Sequence, residues 1–141
     1  MYGYVLQDWI TIRGTIPASG SADIIQGEST WMGFSSFQDI VIWLDIREIS
    51  FPATSLTFNF ETSPTKDGNL FQVMQSQTIT AVGGLTPGVH PLLKVILSSA
   101  TTPLATWVRW RLSPTGASGN TWDATFRVLA AANRVVSGRA A

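Results

Sequence analysis

Cysteine is absent from this chain of 141 residues. The protein therefore has no disulfide framework, no thiolate zinc site and no cysteine nucleophile. Charge is also scarce, because only 13% of the residues are Asp, Glu, Lys or Arg, against roughly 25% in an average domain. Nine positive and nine negative residues cancel, and a net charge near zero favours association with other molecules.

Long apolar runs and targeting signals are missing too. No apolar run approaches the roughly 20 residues that a membrane-spanning helix needs. Residues 1–14 (MYGYVLQDWITIRG) show no basic segment followed by an apolar core, so no signal peptide is expected and the default location is cytoplasmic. The arginines are dispersed and only two lysines occur. A basic patch for nucleic acid is therefore not expected, nor is a membrane partner.

Motifs for catalysis are lacking. His90 is the single histidine and precedes a proline. No G-x-S-x-G nucleophile elbow accompanies it, so a turn residue is favoured over a catalytic base. The carboxylates are scattered, and Asp67 with the following Gly and Asn is more typical of a turn than of a calcium loop. No phosphate-binding glycine loop is present. We expect no enzyme, no cofactor and no metal site.

What the chain does contain is short stretches of alternating apolar and polar residues, separated by clusters rich in Gly, Pro, Ser and Asn. About eight such strands, with turn signals every 8–12 residues, predict an all-β fold: an antiparallel β-sandwich, jelly-roll-like, with an immunoglobulin-like order nearly as compatible. One domain is expected over residues 1–141. Residues 1–16 are expected to form an N-terminal arm or a first strand, and residues 135–141 a C-terminal tail.

Residues 101–133 alternate most clearly, on both sides of a turn-rich loop at 113–120. We predict a central antiparallel hairpin in which residue numbers that sum to about 234 lie opposite each other. This register makes three pairs, namely Arg111 with Asp123, Val108 with Phe126, and Trp107 with Arg127. The strands at 39–49 and 55–62 are likewise predicted to be paired neighbours, and residues 29–37 to form a further strand.

Tryptophan outside the predicted core is the remaining signal. Trp43 and Trp107 fall on the strand faces opposite the apolar stripes. Three interpretations stay open: a platform that stacks sugar rings, a protein–protein contact anchored by Trp and Arg, or burial of both faces within the fold, one by the opposing sheet and one by loops or the N-terminal segment. The candidate interface residues are Trp43, Trp107, Arg109, Arg111 and Arg127.

Two segments carry a resemblance to a known family. The sequences TSPTKDGNLF at 62–71 and PLATWVRWRLSPTG…TWDATFRVLAA at 103–131 resemble the small β-sandwich proteins that decorate or cement tailed-phage capsids. The resemblance implies a non-enzymatic virion protein on the capsid surface. Its implied partners are copies of itself, possibly in a trimer, and a major capsid or other assembly protein. The alternative is a domain that binds carbohydrate, like a carbohydrate-binding module.

Overall fold

A computed structural model describes residues 2–19, 22–50, 55–80, 92–97 and 102–134. These residues form two antiparallel β-sheets, so the predicted all-β sandwich is confirmed. The strands are β1 (Tyr2–Thr15), β2 (Ile24–Ile25), β3 (Met32–Gly33), β4 (Phe37–Ser50), β5 (Ser55–Ser63), β6 (Gln72–Thr80), β7 (Leu92–Leu97), β8 (Trp107–Thr115) and β9 (Thr121–Arg134).

The first sheet has the order β1-β9-β4-β7, and the second sheet has the order β2-β8-β5-β6. The two-residue strand β3 also pairs with β8. The long strands β4 and β9 lie side by side at the centre of the first sheet. In the second sheet, β5 and β8 occupy the corresponding central positions. Within the described residues, no helix is long and apolar enough to cross a lipid bilayer.

The core lies between the inner faces of the two sheets. Alternate residues of the central strands are buried there, as period-two patterning predicts for a sandwich; they include Ile40, Ile42, Leu44, Ile46, Leu56, Phe58, Phe60, Val108, Trp110, Leu112, Trp122, Ala124, Phe126 and Val128. Phe126 of the first sheet meets Phe58 and Trp110 of the second edge to face, with ring centroids 5.1 and 5.3 Å apart. The apolar stripes of the alternating strands are therefore the faces that form the core.

The predicted central hairpin is wrong. Strand β8 lies in the second sheet and β9 in the first, so they are stacked face to face and are not hydrogen-bonded neighbours. Arg111 lies opposite Ile25 and Asn59, whereas Asp123 lies opposite Arg13 and Ser50. The predicted pairing of Val108 with Phe126 is wrong for the same reason, because the two residues lie on strands of different sheets. Each of the two strands has one apolar face. Packing β8 and β9 face to face buries both apolar faces against each other.

The connection between β8 and β9 has the geometry of a crossing between sheets. Gly119 has a φ of 87°, which a residue without Cβ adopts at little cost. Its N–H donates to the carbonyl of Ile16 at 2.8 Å, and the Ile16 N–H donates to the carbonyl of Asn120 at 2.8 Å. These bonds tie the crossing loop to the end of β1.

Strands β4 and β5 also lie in different sheets, so their predicted pairing is wrong. The strand predicted over 29–37 is interrupted: Glu28–Thr30 forms a 3-10 turn, and β3 is only two residues long. A second 3-10 turn, Gly68–Leu70, begins at Asp67, whose Oδ1 accepts a hydrogen bond from the Asn69 N–H at 3.0 Å. His90 and the predicted tail at 135–141 lie outside the described residues.

Candidate functional site

Arg109 is the most deeply buried arginine on the outer face of the second sheet. The alternation of β8 places it opposite the core, yet its exposure is only 6%. Its guanidinium carbon lies 3.9 Å from the ring centroid of Phe71 and 5.0 Å from that of Trp31. Two loop segments thus fold over the sheet and cover this side chain. The charge of Arg109 therefore interacts with partners within the fold, through cation–π contacts and an ion pair.

That ion pair belongs to a network of four side chains, which we call the Glu61 cluster: Asp23, Glu61, Arg109 and Arg111. Glu61 Oε1 lies 3.1 Å from Arg109 Nε and 3.3 Å from Arg111 Nε. Arg111 Nη1 continues the network to Asp23 Oδ2, where the side chains are partly exposed. Glu61 itself is 4% exposed, although alternation alone predicts an outward, solvated carboxylate. The predicted pair of Arg111 with Asp123 is therefore wrong.

Trp107 lies at the edge of the same covered face and is half-buried. Lys66 Nζ lies 4.5 Å from the Trp107 ring centroid. The predicted contact between Trp107 and Arg127 is wrong, because β9 belongs to the other sheet. A sugar ring that stacked on this side of Trp107 would have to displace Lys66.

Arg127 lies on the outer face of the first sheet. Its Nε donates to Asp45 Oδ2 at 2.9 Å, across the register pair Asp45–Arg127 of β4 and β9. Its guanidinium carbon also lies 4.9 Å from the ring centroid of Trp9, and that of Arg47 lies 4.6 Å from the same centroid. Trp9 is 36% exposed. Sequence reasoning missed Trp9 and Arg47 here, because the register shifts in β1 decide where Trp9 falls.

Trp43 belongs to an apolar row that crosses three strands of the first sheet. Val5 of β1 lies opposite Leu129 of β9, and Leu129 lies opposite Trp43 of β4. Directly opposite residues in an antiparallel sheet share a face. This face is the outer one, because the neighbours of Trp43 in β4 are buried in the core. Val5 is 53% exposed, while Trp43 and Leu129 are half-buried.

The apolar row, defined as Val5, Leu129 and Trp43, was not predicted as a unit. Each of its residues is visible in the sequence, but only the order β1-β9-β4 aligns them. Val41, which precedes Trp43 on the same face, lies opposite Ala131 and extends the apolar surface. The five candidate interface residues therefore divide between two faces. Trp43 and Arg127 lie on the first sheet; Trp107, Arg109 and Arg111 lie on the second.

A metal or catalytic centre finds no support in the described parts of the chain. Within those ranges, no three His, Asp or Glu residues are grouped so that they could hold an ion. Three acidic residues, Asp23, Glu61 and Asp45, are instead paired with arginines, in the Glu61 cluster and in the Asp45–Arg127 pair.

No family model matches the sequence, and no curated protein matches it. Solved structures of infectious bursal disease virus do match in fold. The D431N mutant VP2 protein in T=1 particles has a TM-score of 0.58 at 11% identity, covering 94% of this chain and 31% of that one. The VP2 subviral particle has a TM-score of 0.55 at 11% identity, with 94% and 32% covered. The T13 viral particle has a TM-score of 0.52 at 17% identity, with 94% and 30% covered.

This chain thus spans about a third of the length of those viral chains. At such identities the likeness concerns the fold alone. The expected resemblance is corrected in one respect, because the likeness is to the jelly-roll fold of these viral proteins and is not specific to tailed-phage decoration proteins. The chain adopts the two-sheet antiparallel architecture of viral jelly-roll capsid proteins.

Proposed function

We propose that this protein is a non-enzymatic structural component of a viral particle, which docks on or stabilises the capsid as an oligomer. The observation that carries the proposal is the capsid-type fold extending over 94% of the chain. The paired carboxylates of the outer faces support it, because they stabilise the fold and are not arranged for a reaction. Decoration of a capsid surface is the specific role proposed, and the virion is the proposed location.

The apolar row is the proposed contact surface. An antiparallel sheet that faces water on one side normally shows polar residues there. Here Val5 is 53% exposed beside Leu129 and Trp43, and Trp is favoured at the centres of protein interfaces. Arg127 flanks the row with its charge already paired to Asp45. A pair that is satisfied within one sheet leaves no uncompensated charge when a partner covers it.

The proposed partners are copies of this chain, in a trimer, and a major capsid protein. The formal net charge of zero means that identical copies do not repel one another strongly at long range. Of the remaining candidate residues, Trp107 and Arg111 would contribute only to a second contact on the other sheet. Arg109 would act indirectly, by holding the loops that cover that sheet.

Sedimentation velocity on the purified chain and on two matched variants tests this proposal. Trp43→Ser removes the central side chain of the apolar row, whereas Trp107→Ser removes a half-buried tryptophan from the other sheet. We expect the wild type and Trp107→Ser to form the same oligomer, and Trp43→Ser to sediment as a smaller species than either, with unchanged circular dichroism. A wild type that stays monomeric and does not bind capsid particles would contradict the proposal, as would equal effects of the two variants.

A carbohydrate-binding function is the second candidate. The partial exposure of Trp9 and Trp43 on one face favours it, because flat aromatic rings stack on sugar rings. Titration with oligosaccharides, followed by tryptophan fluorescence, tests it with the variants Trp43→Ala and Trp107→Ala. A saturable change that disappears in Trp43→Ala would support this function. The absence of any change with a broad panel of oligosaccharides would count against it.

A further inference from the structure

The edges of the two sheets differ in how well they are protected. An edge strand exposes unpaired N–H and C=O groups, and proteins usually protect it by short length, charge, proline or bulges. Strand β1 carries Asp8 and Arg13 and two register shifts. Strand β7 has six residues and contains Lys94, and β2 has only two residues. Within the described part of the chain, these three edges are all short, charged or irregular.

Strand β6 differs from these edges because it is long and uncharged, although it too contains one register shift. It runs for nine residues, Gln72–Thr80, with the sequence QVMQSQTIT, which contains no charged residue and no proline. In the described residues it pairs with β5 on one side and ends the order of the second sheet. Its register with β5 is continuous from Gln75 to Thr80, and the shift lies at the other end of the strand. A long, uncharged edge without gatekeeper residues invites pairing with another strand.

We propose that β6 pairs in antiparallel fashion with β6 of a second copy of this chain, which joins two second sheets into one continuous sheet. The identity of the occupant follows from the charge pattern. In antiparallel self-pairing each residue meets a residue of the same strand, and β6 brings no like charges together in any register. Self-pairing of β1 centred on Asp8 would instead place two carboxylates opposite each other.

The side chains of β6 suit such a junction. Thr78 already shares a hydroxyl–hydroxyl hydrogen bond of 2.9 Å with Thr57 of β5, and cross-strand hydroxyl pairs of this kind stabilise sheets. Ser76 lies opposite Asn59, on the outer face, and is exposed. Pairing over the full length of the strand places the two-fold axis at Ser76, the middle residue of Gln72–Thr80. The two copies of Ser76 then lie opposite each other, with Cα atoms about 4.5–5.5 Å apart.

This surface does not depend on the proposed function, because it uses the edge of the second sheet and not the apolar row of the first. Because the chain has no cysteine, a single introduced cysteine can report the distance between two copies. Cα separations of roughly 4.4–6.8 Å permit a disulfide, so Ser76→Cys should link two copies under a mild oxidant. Ser35→Cys is the matched control, since Ser35 is also exposed but lies in a turn before β4.

The test compares the disulfide-linked dimer of Ser76→Cys with that of Ser35→Cys on non-reducing gels. Both are measured in the wild-type background and in the Trp43→Ser background. We expect at least tenfold more linked dimer for Ser76→Cys in both backgrounds. We also expect Ser76→Lys to lower the dimer fraction in sedimentation while circular dichroism is unchanged, because two lysines would then face each other.

Equal linking of the two cysteine variants would overturn the self-pairing of β6. So would a folded Ser76→Lys protein that associates as strongly as the wild type. Linking through Ser76→Cys that persists after Trp43→Ser has abolished other association would support β6 pairing independently of the capsid role. Linking that persists in a protein without affinity for capsid particles would retain this inference while the proposed function fails.

Discussion

Arg109 and Glu61 face each other across the central strands of the second sheet, with 3.1 Å between Nε and Oε1 and side-chain exposures of 7% and 6%. Removing two charges from water is costly, and the attraction between them compensates only when the remaining groups are satisfied. Arg111 supplies a second partner to Glu61, and the rings of Trp31 and Phe71 cover Arg109. The pair thus holds two loop segments against the sheet.

Breaking this pair from one side should be strongly destabilising. Glu61→Gln leaves Arg109 buried without its counter-charge, which typically costs about 3–5 kcal/mol. Urea denaturation would measure the loss, and Arg13→Gln, an exposed arginine of β1, should change stability by less than about 0.5 kcal/mol. The double variant Glu61→Leu with Arg109→Met should recover part of the loss. Equal, small effects of Glu61→Gln and Arg13→Gln would show that the pair contributes little.

Gln26 is a second polar residue on which the sandwich depends. It is 2% exposed; its Nε2 donates to the Leu6 carbonyl of the first sheet at 2.9 Å, and its Oε1 accepts from the Trp110 N–H of the second at 3.1 Å. Gln26→Leu would orphan both backbone groups, at about 1–3 kcal/mol each. Chemical denaturation should show this loss, with the exposed Gln38→Leu as control. A loss no larger than that of the control would contradict the bridging role.

Gly14 should not tolerate a side chain. A Cβ at this position would lie 2.8 Å from the indole ring of Trp122, which is 4% exposed. Gly14→Ala therefore forces the ring or the strand to shift, at about 1–3 kcal/mol. Gly3→Ala, in the same strand, meets nothing within 4 Å and should be neutral or stabilising by up to about 1 kcal/mol. Thermal denaturation of the two variants should therefore rank Gly3→Ala above Gly14→Ala, and the reverse order would refute this packing.

The outer end of the Glu61 cluster should matter much less than its buried end. Arg111 and Asp23 have side-chain exposures of 23% and 30%, and exposed ion pairs contribute roughly 0–1 kcal/mol. Asp23→Asn should therefore cost under about 1 kcal/mol, and the difference from wild type should shrink at high salt because solvent ions screen the pair. Denaturation at low and high ionic strength measures both effects. A large loss that is independent of salt would show that Asp23 is a buried structural carboxylate.

The sequence predicts the layers of this fold better than its pairings. Ile42, Phe58 and Phe126 lie on the apolar side of alternating strands, which alternation alone predicts to face inward, and all three are buried. The predicted strand partners were wrong wherever strands adjacent in sequence were assumed to pair. Every strand offers the same main-chain hydrogen-bonding groups. The sequence of residues 106–112 therefore does not reveal whether β8 pairs with β9 or stacks on it.

The candidate surfaces show the same division. Trp43 and Arg127 were chosen from the sequence as outward residues, and the structure places both on the outer face of the first sheet. Arg109 was also chosen as outward, but loops bury it against Glu61. The alternation in β5 predicts that Glu61 points outward, but it does not predict which segments cover this residue. Whether these residues contact a partner stays a prediction.

The amino-acid sequence by itself determined that the chain is a β-sandwich with little surface charge, because period-two alternation and composition are local properties that survive any choice of topology. Only the tertiary structure decided that β8 and β9 stack across the core, that Val5, Leu129 and Trp43 line up in a row, and that Glu61 is buried with Arg109. Those outcomes depend on which distant segments come together, and that choice is made by the burial of all apolar faces at once.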